Sequence, residues 1–285
     1  MIATLVGAAA MVAALLAGNE PAPAQLPGCA GSAAGAASAK PGDVVCLTAA
    51  AAGQRLRITV GGTADQPVTY DGTAAGNVRG IDVEADHVVV RNFTMDRPSA
   101  PGIDAEGTGI TLLDNVITQP TGGDGDGIRF FGDDIEIRDN RVRGTDNSTG
   151  AHADCMQTVQ NDTPSSLNVV ISGNRCERID NMCLMAEGPN DDDGQGRGDT
   201  GYFTITGNFC ESLEASQNLM FENVHHVTIE GNTFTGNVDH AIGLDFGSTH
   251  ARVGTNTLDP AIRCYVGIST DSREGYEGPE PTCRP

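Results

Sequence analysis

The sequence predicts an all-β chain whose strands stack as the coils of a right-handed parallel β-helix, about seven to eight coils behind an amino-terminal cap, and three observations predict it. One short phrase recurs: apolar, any residue, apolar, two or three turn residues, then Asn. It ends at Asn92, Asn115, Asn140, Asn174, Asn208, Asn232 and Asn256, so the intervals are 23, 25, 34, 34, 24 and 24 residues. Inside each phrase the apolar residues alternate with period 2, as in VVISGN and FTITGN, which is the pattern of a strand with one buried face. The composition fits, since 37 glycines and an aromatic content of only 4% suit many tight turns and thin coils. One coil cannot bury its apolar face alone, so a repeat of this length implies stacking neighbours that complete the core. A leucine-rich repeat has a similar period, but the LxxLxL signature and helical half-repeats are missing.

Each element follows in order. The apolar run from Ile2 to Ala17 and the small-x-small pattern in Pro21-Ala22-Pro23-Ala24 predict a signal peptide over 1–24, with the mature chain starting at Gln25. A membrane anchor would need a span of about 20 apolar residues, and this run is shorter. Residues 25–52 form the cap, 53–259 the β-helix and 260–285 a disulfide-closed tail. Upstream of each Asn phrase lies a second strand: GIDVEA, GIDAEG, GIRFFG, DCMQTV, NMCLMA, NLMFEN and AIGLDF. An eighth, irregular coil starts near Arg55. The repeated Asn is expected at a left-handed turn position, where stacked copies hydrogen-bond along the coil axis.

Charge and cysteine content bound the function. The net charge of −21 and a single lysine, Lys40, exclude nucleic-acid and anionic-membrane partners, which require basic patches. Eight cysteines in an exported chain read as disulfides rather than a zinc site, because no CxxC spacing occurs. The register pairs Cys176 with Cys210 and Cys155 with Cys183 between consecutive coils, Cys29 with Cys46 in the cap and Cys264 with Cys283 in the tail. The expected product is a secreted monomer, extracellular or at the cell surface, with no membrane contact once the signal is removed.

The phrases AKPGDVVCL (Ala39 to Leu47) and GTADQPVTY (Gly62 to Tyr70), with the Asn-turn coils after them, resemble bacterial polysaccharide lyases of the pectate-lyase-like superfamily, of the chondroitinase B and alginate lyase type. The resemblance covers nearly the whole mature chain. It implies a groove along the first sheet, flanked by turn loops, and a polysaccharide partner. It also implies a catalytic lysine and arginine. This chain has no lysine after Lys40, so that pairing is not carried over.

The two 34-residue intervals place extra residues in Arg141 to Ala153, Gln160 to Leu167 and Glu187 to Tyr202, and long loops on a repeat scaffold line its binding side. Keeping Ile81, Ile103, Ile128 and Met156 inside turns Asp82, Asp104, Arg129 and Gln157 outward as one row, with Asp245 outward on a later coil. Asp82, Asp104 and Asp245 are therefore candidates for substrate binding. The register of the later strands leaves two choices, Cys183 or Leu184 and Met220 or Phe221, for the inward residue. The densest constellation is GDGDGIR facing TGAHADCMQ, which gathers Asp124, Asp126, Arg129, His152, Asp154 and Gln157. Such carboxylates either hold a hard cation, Ca²⁺ on Asp124, Asp126 and Asp154, or raise one pKa for acid–base work. His152, Arg129, Asp154 and Gln157 are the catalytic candidates. The leading expectation is a lyase that cleaves an acidic polysaccharide by β-elimination. The alternatives are a glycoside hydrolase using paired carboxylates such as Asp126 and Asp154, and a non-catalytic carbohydrate-binding β-helix. The acidic run Asn190 to Gly194 reads as a solvated loop, and His225-His226 as a turn.

Overall fold

A computed structural model describes residues 38–159, 164–189, 199–281 and 283. The signal peptide, Cys29 with its expected bridge to Cys46, and the Asn190 to Gly194 run lie outside the described residues. The chain forms a right-handed parallel β-helix of about eight turns with three strands in a regular turn. The third sheet contains seven strands, and the first and second run into one another as a 19-stranded sheet where Ile128–Asp133 bends between them.

The alternation in each phrase fixes which side chain turns in. On the first sheet Leu56, Ile81, Ile103, Ile128, Met156, Leu184, Leu219, Ile242 and Val266 stack in register along the axis. Leu184 and Phe221 are the inward residues of their strands, and Met220 faces out. Tyr70, Val90, Leu112, Ile137, Ile171, Ile205, Ile229 and Val253 make the equivalent stack on the second sheet. These stacks are buried almost completely apart from Leu56, and each fully buried aliphatic side chain stabilises the rod by roughly 1.5–3 kcal/mol.

The asparagine repeat forms a continuous ladder. The backbone N–H and Nδ2 of Asn115, Asn140, Asn174, Asn208 and Asn232 each donate to Oδ1 of the next asparagine, at 2.8–3.1 Å. The left-handed residue is the one before the ladder position: Asp114, Asp139, Gly173, Gly207 and Gly231 have φ between 53° and 69°. Asn92 alone occupies that left-handed place itself, at φ 60°, and Phe93 donates its N–H to Asn115 in the ladder position. The turn thus needs two residue types, one that tolerates positive φ and one whose amide bridges coils.

The central disulfides differ from the expected pairs. Cys155 pairs with Cys176 and Cys183 with Cys210, each with Cα atoms 5.8 Å apart, and Cys264 pairs with Cys283 as expected. The register itself agrees with the sequence, since Cys176 faces Cys210 and Met156 faces Leu184. In-register side chains on parallel neighbours point the same way, whereas the first and third sheets of one coil face each other across its interior. The bridges therefore cross single coils instead of linking two.

Candidate functional site

The outward face of the first sheet carries two rows. Arg57, Asp82, Asp104, Arg129, Gln157, Met185, Met220 and Gly243 are in register along one of them. Two residues further along the strands lie Glu84 and Glu106 on the early turns, and Glu187, Glu222 and Asp245 on three consecutive late turns.

The middle of the first row is the central cluster. Arg129 Nε donates to Asp126 Oδ2 at 2.7 Å, and its Nη2 reaches Asp124. Asp126 Oδ1 accepts the Asp154 N–H at 2.9 Å. Asp154 Oδ1 accepts from Asn181 Nδ2 and the Met182 N–H, and its Oδ2 from Gln157 Nε2 at 3.2 Å. The chain thus brings Asp124, Asp126, Arg129, Asp154 and Gln157 together, while His152, two residues before Asp154 in the chain, is exposed. Burial raises the carboxyls of Asp126 and Asp104, and burial together with Asp126 pushes Asp154 well above the usual range. Asp126 and Asp154 are 1% and 0% exposed, and all four of their oxygens have donors, so both are closed to a polymer on the surface. Arg129 already fills the cation position between Asp124 and Asp126. Among the described residues no group of three or more His, Cys, Asp or Glu side chains is placed to hold a metal ion.

Of the expected substrate-binding acids, Asp82 is held by Arg55 through Nε and Nη2, and Asp104 lies in register between Asp82 and Arg129. Asp245 belongs to the second row. There, adjacent strands about 4.8 Å apart stack Glu187, Glu222 and Asp245. Among the described residues the Glu222 carboxyl has no hydrogen-bond or ion-pair partner. Burial, Glu187 and Asp245 raise its pKa to about 7. Asp245 Oδ1 accepts the Phe246 N–H at 2.9 Å. Sequence reasoning missed Glu187 and Glu222. The signal was present in the aligned ends of NMCLMAE, NLMFE and AIGLD, but it needed the inward residue of each strand to be known.

This arrangement sets a carboxyl that holds its proton up to about pH 7 beside a second carboxylate on the next strand. The family model described as right handed beta helix region matches residues 79–258. No curated protein matches the sequence. Among solved structures the chain is similar to the PL6 family alginate lyase AlyGC, at 14% identity and a TM-score of 0.50 over 82% of this chain and 38% of that one. It is similar in the same degree, 13% and 0.50, to a mannuronic acid specific polysaccharide family 6 lyase from human gut microbiota, over 83% of this chain and 65% of that one. A lacto-N-biosidase from Eubacterium ramulus aligns at 12% identity with a TM-score of 0.45, over 85% of this chain and 62% of that one. The chain spans less than two thirds of the length of each.

Proposed function

The chain belongs to the right-handed β-helix family, and from that premise we propose that it is a secreted enzyme which hydrolyses a polysaccharide laid along the outward face of the first sheet. The observation that carries this reading is the stack of Glu187, Glu222 and Asp245 in register on three neighbouring strands. Glycoside hydrolysis with retention uses two carboxyl groups about 5–5.5 Å apart, one protonated and one ionised, and in-register residues on strands about 4.8 Å apart have backbones at a comparable spacing. Glu222 gives its proton to the departing glycosidic oxygen while an Asp245 oxygen bonds to the anomeric carbon. Water, losing a proton to Glu222, then displaces Asp245 and regenerates both groups. Export is supported by the disulfides.

A second reading, β-elimination on a uronate polymer, is favoured by Arg129 on the same face, since a cation there can neutralise a developing enolate. Two solved relatives are named as lyases of such polymers. It is weaker because Arg129 is already bonded to two aspartates. A panel of neutral and uronate polysaccharides separates the two. Hydrolysis gives new reducing ends with retained anomeric configuration and no ultraviolet-absorbing product. An unsaturated, absorbing product would establish elimination instead.

A further inference from the structure

Beyond the end of that acidic row, at the corner between the first and second sheets, the chain gathers three histidines and a tyrosine, His225 only three residues after Glu222. Successive residues of a strand point to opposite sides, but His226 has φ 56°, and this left-handed step swings its ring to the side of His225. The two Nδ1 atoms are hydrogen-bonded at 2.9 Å, one ring donating to the other according to tautomer. Packing holds both rings. His226 is sandwiched between Tyr202 and His250, each with ring centroids 4.7 Å away and planes within 15°. Tyr202 and His250 occupy the equivalent left-handed positions of the turns before and after, at φ 57° each. The His225 ring lies over Gly201, where a Cβ would come within 2.5 Å of its Cε1, and meets Tyr202 edge-on.

We propose that His225 and His226 form a bidentate nitrogen site for a divalent transition-metal ion, Cu²⁺ above all. Imidazole nitrogens bind such ions at about 2.0–2.1 Å, and two of them at a right angle about a shared ion lie roughly 2.9 Å apart. The rings meet at 88°, and once the donating ring carries its proton on Nε2 instead, both Nδ1 lone pairs are available to one ion. A neutral imidazole is the ligating form. Asp199, close enough to act on His225 electrostatically, adds attraction for a cation. Soft sulfur ligands would compete, but no free cysteine is present among the described residues. With only two nitrogens supplied, the remaining positions stay open to solvent, and imidazole pairs of this kind take Cu²⁺ ahead of Zn²⁺ in the divalent affinity order. His250 is a positioning residue, since it touches the His226 ring face and supplies no donor to the site.

The test is calorimetric titration of CuCl₂ into the full chain, with copper ligand-field absorption read in parallel. The expected result is one tight equivalent in the wild type. Its affinity falls at least about tenfold in His225→Ala and in His226→Asn, the asparagine being chosen because it tolerates positive φ. His250→Ala should bind more weakly than the wild type while keeping the absorption band, as loss of an orienting neighbour does. Equal Cu²⁺ binding by the wild type and a variant carrying both His225→Ala and His226→Asn would overturn the site. Nuclear magnetic resonance on the unaltered protein gives an answer independent of variant folding. Paramagnetic broadening by Cu²⁺ should reach the imidazoles of His225 and His226 before those of His87 and His152. Simultaneous broadening of all four would reject the site.

Discussion

Glu222 is the residue at which function and stability oppose each other. Its folded pKa, about 7, lies above the ordinary 4.5, so the folded chain holds a proton that the unfolded chain has released. The stability linked to that proton is fully present below pH 4.5 and is lost as pH rises through about 7. The group is half-buried, and after solvent screening the loss is on the order of 1–2 kcal/mol. Glu222→Gln should therefore melt higher than the wild type at pH 8, match it near pH 4, and have no detectable glycan cleavage. Thermal melts at the two pH values with a reducing-end assay check all three outcomes, and full activity in this variant would remove Glu222 from the chemistry. Asp154 gives a complementary case. Burial favours its neutral form, and Gln157 Oε1 beside it is buried without a donor. Asp154→Asn can place an amide against that oxygen once Gln157 turns its own amide over. It should change stability by less than about 1 kcal/mol at pH 7, whereas Asp154→Ala, which strands the Met182 N–H and Asn181 Nδ2, should cost about 3 kcal/mol. Denaturant midpoints of the two variants decide it.

At the scale of the element, the coil turn shows what the sequence could and could not reveal. The apolar alternation and the asparagine interval were legible because both repeat, and they specify the strands, the coil count and the outward row Asp82, Asp104, Arg129 and Gln157. Disulfide pairing was not legible. Register says which cysteines are neighbours, but only the closed shape of a coil shows that Cys155 faces Cys176 across it. The acidic row was hidden for a related reason, since Met220 and Phe221 are both apolar and either could have been the inward residue that sets the position of Glu222. The ladder makes a sharp prediction. Asn174 accepts from the N–H and Nδ2 of Asn140 and donates to Ile137 O and Asn208 Oδ1. Asn174→Ala leaves buried groups on two neighbouring coils unsatisfied and should cost about 3 kcal/mol or more. Asn256→Ala, at the carboxy-terminal end of the ladder, should cost less. Urea denaturation of both variants measures the difference, and equal losses would show that the ladder is not cooperative along the axis.

The charge of the whole molecule decides which polymer can reach the face. The outward rows carry Asp82, Asp104, Glu84, Glu106, Glu187, Glu222 and Asp245 against Arg55, Arg57 and Arg129, and each of these arginines is already ion-paired. Beside the early turns a groove of about 690 Å³ is lined by Glu84, Asp86, Glu106 and Asp133, which extends the negative surface. Added to a net charge of −21, this repels a uronate chain before any contact is made. Neutral glycans meet no such barrier. The expected outcome is that a neutral polysaccharide is cleaved at a rate nearly independent of salt. Any cleavage of a uronate polymer should be slow at about 0.01 M ionic strength and speed up toward 1 M, because the screening length falls from about 30 Å to about 3 Å over that range. Initial rates on both polymers across a sodium chloride series measure it. A uronate polymer cleaved faster at low salt than at high salt would mean that the chain attracts its anion locally. Arg129 would then be free of its aspartates in the working enzyme, and elimination would replace hydrolysis as the reading of the face.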